Sequence, residues 1–180
     1  TLSKMLSEYF NIQRVYAGSI FRERVKDLGF STLDEFYQKA DKELFYKIDK
    51  EVDQRLIETA KKGNVLIESK VFAGLATVNN IPCTVRIWLD AKLSVRVKRF
   101  MGKQKDLRGI PKVIIFLKTV FSLIRRRIID GRRYKFLYKV DYSNEELYND
   151  IVLDTSKLNE KETFDLILRR ISDGGYINNK

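Results

Sequence analysis

Three short runs decide how this chain folds: NVLIES at 64–69, VRIWLD at 85–90 and DIVLDT at 150–155. Each is apolar through its middle and closes on a polar or acidic residue, the form of a strand buried in a parallel sheet. Helical patterns lie between them, at 92–101 and about 111–139, and another follows from about Asn159 to Ile171. Strand and helix alternate, so the expected fold is α/β with right-handed crossovers, a three-layer parallel sheet flanked by helices. Upstream, Asn11–Tyr16 is a fourth strand candidate and Ser19–Leu28 a helix, with Gly29 placed for a left-handed C-cap. Ser31 then opens a helix with Asp34 three residues on, a weak capping box, and helix continues with breaks to Lys62, where Gly63 ends it. At the start, Leu2, Met5, Leu6 and Tyr9 share one helical face. A helix that begins at Thr1 has no preceding element to pack on, and the expectation is a chain whose beginning is missing.

Over 180 residues, 35 Lys and Arg face 24 Asp and Glu, a net charge of +11. No histidine is present, which excludes every mechanism that needs one. A single cysteine, Cys83, excludes an intrachain disulfide and a cysteine zinc cluster, and fits a reduced, cytoplasmic compartment. The longest apolar stretch, Val113–Ile124, is interrupted by Lys118 and Thr119 and falls short of the roughly 20 residues that cross a bilayer. Its VIIFLKTVFSLI is too apolar for a solvated segment. Packing as core or against a second copy is favoured over lying on a membrane surface beside the basic run that follows.

Several arginines are spaced to share helix faces. Arg22 follows Gly18 by four at a helix start, where anions are favoured. Arg96, Arg99 and Lys103 fall at i, i+3, i+7, as do Arg126, Asp130 and Arg133 at i, i+4, i+7. On spacing alone these are solvated helix surfaces. The run RRRIIDGRRYK at 125–135, with Tyr134 and Tyr138, also suits a nucleic-acid binder that tracks phosphates and stacks on bases.

At YAGSIFRE (16–23) the chain resembles the nucleoside monophosphate kinases, specifically the cytidylate kinases of the short archaeal type. The likeness continues in order through LGFSTLDEF (28–36), IDKEVDQRL (48–56), KKGNVLIES (61–69), RIWLDAKLSVRVKRF (86–100), RRY with a following KVD (132–141) and DIVLDTSKL (150–158). It implies a P-loop kinase fold in one domain, 1–174, with a helical lid at about 100–139 and a frayed tail at 175–180. It further implies transfer of the γ-phosphoryl of ATP to CMP or dCMP with Mg²⁺, in a monomer or a weak dimer joined through 113–124. The family's first strand and its G-x-x-x-x-G-K-[ST] loop, which hold ATP phosphates and Mg²⁺, would precede Thr1. The chain from Thr1 alone is accordingly expected to be a poorly stable, inactive fragment that contributes no metal ligand.

The resemblance also assigns residues. Gly18, Ser19 and Arg22 would hold the acceptor phosphate, with Asp53 and Arg55 facing the substrate. Where the family reads like E-G-R, this chain has Glu68, Ser69 and Lys70, so Lys70 offers a point charge in place of a planar fork. Thr1, Arg96, Arg99 and Lys103 would serve ATP and the lid, with Gly102 as hinge. Arg126 and Arg133 would reach the transferring phosphoryl while Asp130 orients one of them or touches the base, and Arg125, Arg127 and Arg132 would be surface residues. A related P-loop kinase acting on another nucleotide or a small alcohol is the alternative within the same chemistry.

Overall fold

The structure is a computed structural model that describes residues 1–102 and 111–177, Asp34 without its side chain. Lys103 and the stretch 103–110 of the expected lid lie outside the described residues, as do 178–180 of the tail. The chain divides into two compact units, Thr1–Cys83 and Thr84–Lys180, where one kinase-like domain is the expectation. Each unit is built on a two-stranded parallel sheet, so the expected parallel pairing is present but spread over two small sheets.

The first unit runs α1 (Leu2–Phe10), β1 (Gln13–Tyr16), α2 (Ala17–Asp27), α3 (Leu33–Lys39), α4 (Lys42–Lys61), β2 (Val65–Glu68) and α5 (Phe72–Val78). Strand β1 pairs with β2 in parallel, Gln13 against Val65 through Tyr16 against Glu68. Asn11, expected in the strand, instead ends α1 in a left-handed turn with φ 51°. The end of α2 is a Schellman motif: Gly29 at φ 87° donates to the Lys26 carbonyl at 2.8 Å and Phe30 to that of Val25 at 3.3 Å. Glycine meets that φ without the clash a Cβ brings.

The cap of α3 lies one residue later than the sequence suggests. Thr32, not Ser31, accepts from the Glu35 amide at 3.1 Å, and the Glu35 carboxylate reaches back to the Ser31 amide at 2.9 Å. Replacing Thr32 by alanine is expected to lower stability by about 1 kcal/mol, read as a shift of the urea midpoint. Asp41 caps α4 by accepting from Leu44 at 2.7 Å, which is the break expected within the long helical stretch. The core of this unit gathers Val25, Phe36, Ile48, Val52 and Leu56 from α2, α3 and α4.

The second unit runs β3 (Ile87–Asp90), α6 (Leu93–Met101), α7 (Lys112–Tyr138), β4 (Ile151–Asp154) and α8 (Glu160–Asp173), with a short 3-10 turn at Glu145–Leu147. Strand β3 pairs with β4 in parallel, Ile87 against Ile151 through Asp90 against Asp154. Asn159 and Glu162 form a complete capping box at the start of α8. Val97, Val140, Ile151, Leu153, Ile167 and Ile171 form the core, and α6 packs on α7. No helix among the described residues is long and apolar enough to cross a membrane.

Candidate functional site

In the first unit, parallel pairing brings the C-terminal ends of β1 and β2 side by side, since Tyr16 is registered with Glu68. The chain leaves β1 directly into α2 and leaves β2 through Ser69 and Lys70, so Gly18, Ser19, Arg22, Ser69 and Lys70 gather at one sheet end. Such ends are where open α/β sheets bind ligands. Three amides at the α2 N-terminus add partial positive charge to the two cationic side chains. Ser19 donates to the Tyr16 carbonyl at 2.6 Å, and Ser69 accepts from the Val71 amide at 3.3 Å. Arg22 and Lys70 are exposed.

Tyr16 organises this end. Its ring lies across Gly18, where an added Cβ would sit 2.6 Å from the ring, and the guanidinium groups of Arg14 and Arg22 each stand 5.2 Å from its centroid. Arg14 is fixed in turn. Its Nε donates to Ser3 at 2.8 Å and to the Glu68 carboxylate at 3.0 Å, a second guanidinium nitrogen also pairs with Glu68, and the Ser3 hydroxyl donates to the same carboxylate. Residues from α1, β1 and β2 thus converge behind Arg22. Sequence reading missed Arg14, Tyr16 and Ser3 as members of this group.

Asp53 and Arg55 lie on α4, the helix that leads into β2. Asp53 is 8% exposed on the inner side of α4, and Arg55 pairs with Glu23 of α2 at 3.5 Å. Together with Arg24 and Glu51 at 2.6 Å, that pair ties α2 to α4. Thr1 occupies the N-cap position of α1 without a side-chain cap; its carbonyl accepts from Lys4 and Met5 at 3.0 and 3.1 Å.

The second unit concentrates its polar chemistry on α6 and α7. Arg96 stands 3.9 Å from Asp90 at the end of β3, and its buried Nε has no hydrogen-bond partner among the described residues. Arg99, expected at the lid, instead fastens α6 to the exit of β4. It donates to the Thr155 hydroxyl at 3.0 Å, the Thr155 carbonyl at 2.7 Å and the Leu158 carbonyl at 3.1 Å. These bonds engage both of its terminal nitrogens and hold α6 to the residues that follow β4.

On α7, Arg133 pairs with the buried carboxylate of Asp130 at 3.0 Å, donates to the Tyr134 hydroxyl at 3.2 Å and lies 4.9 Å over the Tyr134 ring. Tyr142 meets the rings of Trp88 at 5.5 Å and Tyr134 at 5.3 Å. Burial pushes the Tyr142 phenol up to about 12, and the Asp130 carboxylate adds to that, so Tyr142 stays neutral at physiological pH. Arg126 is exposed. Arg127, expected at the surface, is half-buried against Glu145. Of the basic run 125–135, Arg127 and Arg133 are therefore engaged within the unit, which interrupts the continuous cationic stripe a nucleic-acid binder needs.

Among the described residues no group of three His, Cys, Asp or Glu is placed to hold a metal ion.

A family profile described as an AAA domain matches residues 1–113. The chain is 35% identical to the cytidylate kinase of Methanocaldococcus jannaschii over 96% of its own length and 90% of that protein. It is 38% identical to the cytidylate kinase of Pyrococcus horikoshii and 37% to that of Pyrococcus furiosus, over 93% of this chain and 79% of each relative. A crystal structure of an uncharacterized protein from Eubacterium ventriosum superposes with a TM-score of 0.60 at 15% identity, covering 96% of this chain and 90% of that one.

Proposed function

This chain belongs to the cytidylate kinase family, and we propose on that premise that it transfers the γ-phosphoryl of ATP to CMP or dCMP in the cytoplasm. An oxygen of the acceptor phosphate bonds to the γ-phosphorus as the bond from that phosphorus to the β–γ bridging oxygen breaks, leaving CDP or dCDP and ADP. Such transfer needs positioning and fixed positive charge, with little covalent work for side chains, so it does not call for a histidine.

One observation carries the reading onto particular residues: the ends of β1 and β2 gather Gly18, Ser19, Arg22, Ser69 and Lys70, with two cations and a helix N-terminus at one place. Arg22 grips the acceptor phosphate and Tyr16 holds its guanidinium in place. Lys70 adds a point charge where the family pattern has an arginine, so it attracts the phosphate without the bidentate geometry that fixes its orientation. On α7, Arg126 and Arg133 stabilise the transferring phosphoryl, and the buried Asp130 carboxylate orients Arg133. Arg96, whose buried Nε has no hydrogen-bond partner among the described residues, serves the ATP phosphates. Mg²⁺, when it accompanies ATP, neutralises phosphate charge during transfer.

The test is acceptor choice in the full-length protein. With ATP and Mg²⁺ present, kcat/KM for CMP or dCMP is expected to exceed that for AMP by about tenfold or more, measured as coupled ADP release. Preference for AMP or for a non-nucleotide alcohol would move the assignment to another P-loop kinase.

A further inference from the structure

Helix α7 carries apolar residues on two sides. Ile115, Thr119, Asp130 and Tyr134 are buried, while Ile114, Leu117, Phe121, Ile124 and Ile128 are exposed by 43, 60, 68, 43 and 49%. These five advance by three, four, three and four residues, the spacing of the seam that two helices share in a coiled coil, while Phe116, Ile129 and Phe136, also exposed, fall off that stripe. A seam of this regularity suits another helix better than a diffuse surface.

The seam also reads nearly the same in both directions: Ile, Leu, Phe, Ile, Ile. We propose that it is the interface with a second copy of this chain, two α7 helices running antiparallel across a two-fold axis at Phe121. In that register Phe121 meets its counterpart, Ile114 lies level with Ile128 of the second copy, and Leu117 comes within one residue of the level of Ile124. Every contact is then made twice, as an isologous dimer requires. With Val113, 68% exposed beside the seam, the apolar surface available on two copies comes to roughly 1,200 Å², the lower bound of a stable interface. The inference stands apart from the phosphoryl-transfer reading, since none of these residues is assigned to catalysis.

Charge sets the strength of the pairing and supplies its signature. Lys118 and Arg125 flank one edge of the seam, both exposed, and the antiparallel register sets Lys118 opposite Arg125 of the second copy. Two like-charge contacts oppose association, weakly because they are solvated, and salt screens them. An anionic lipid surface would behave oppositely: the same cations would promote docking and salt would release it.

Sedimentation velocity on the full-length protein tests this. The unaltered chain is expected to dimerise with a Kd on the order of 10 µM, tightening several-fold between about 0.05 and 0.5 M NaCl. Phe121→Glu sets two carboxylates together at the axis and should raise Kd by about 30-fold or more. Lys118→Glu faces Arg125 and turns two repulsions into attractions, so it should lower Kd by about tenfold and make dimerisation weaken with salt. A gain of affinity cannot come from misfolding. A monomer at every concentration up to about 200 µM would overturn the proposal, as would Lys118→Glu weakening the dimer. Co-sedimentation of a monomeric chain with phosphatidylglycerol vesicles, abolished by Lys118→Glu, would assign the face to anionic lipid instead.

Discussion

Replacing Arg126 by alanine in the full-length protein is expected to lower kcat/KM for CMP by about 10²-fold or more, the effect of losing a contact worth about 2.7–4 kcal/mol to the transition state. Arg126 is exposed on α7, so its removal should leave the melting temperature unchanged and the loss should be kinetic. Arg22→Ala is expected to fall by a similar factor, with its larger share in KM because the role proposed for Arg22 is to hold the acceptor. Arg133→Ala should match the kinetic loss and add a structural one: Asp130 is 5% exposed, and deleting its cationic partner leaves a buried carboxylate short of compensation. Arg125→Ala and Arg132→Ala, at exposed positions of the same helix, should change kcat/KM by less than about threefold. Measuring all five variants under one buffer separates the two readings of this basic chain. Individual catalytic roles make the five unequal, whereas a general polyanion surface would treat them alike and respond to salt. Uniform effects within threefold, with RNA affinity falling steeply on added salt, would dismiss the site assignment.

The strands were legible because a buried strand in a parallel pair is an uninterrupted apolar run, and 64–69, 85–90 and 150–155 have that form. What decides the limits of such reading is whether both partners of an interaction leave a mark in the sequence. Gly18 and Arg22 do, four apart at a helix start. Arg14 and Glu68 do not: 54 residues separate them, and they meet only because β1 and β2 pair in a particular register. Arg99 was placed on a cationic helix face correctly, but its partners include the carbonyls of Thr155 and Leu158, and a backbone carbonyl has no residue signature. The cap of α3 slipped by one because Ser31 and Thr32 both cap well and Asp34 and Glu35 both follow at suitable distance. Helix α5 went unread, since VFAGLATV is short and its valines carry no helical preference.

The largest stability effect is expected at Phe36. It sits on the seven-residue α3, a helix too short to persist by itself, and it is fully buried. Its ring meets Phe30 at 5.2 Å, Phe21 at 5.7 Å and Phe45 at 5.7 Å, so one side chain joins α2, α3, α4 and the turn after Gly29. Phe36→Ala removes the transfer free energy of the ring and leaves a cavity whose lining cannot close, because the surrounding aromatic rings hold its shape. The expected cost is about 3–5 kcal/mol, a large fraction of the roughly 5–15 kcal/mol that keeps a domain folded. Phe36→Leu, which keeps most of the volume, should cost less than about 1.5 kcal/mol. Urea unfolding with the m-value held constant reads both. The comparison is Tyr37→Ala, whose ring meets Phe36 and Phe45 at 5.8 Å from the edge of the same cluster but is 52% exposed, so a smaller shift is expected. If Phe36→Ala and Tyr37→Ala move the midpoint equally, the aromatic cluster is not what holds α3 to α2 and α4. The consequence for function follows from position, since α2 carries Gly18, Ser19 and Arg22, and loosening its packing against α3 should raise KM for CMP before the unit unfolds.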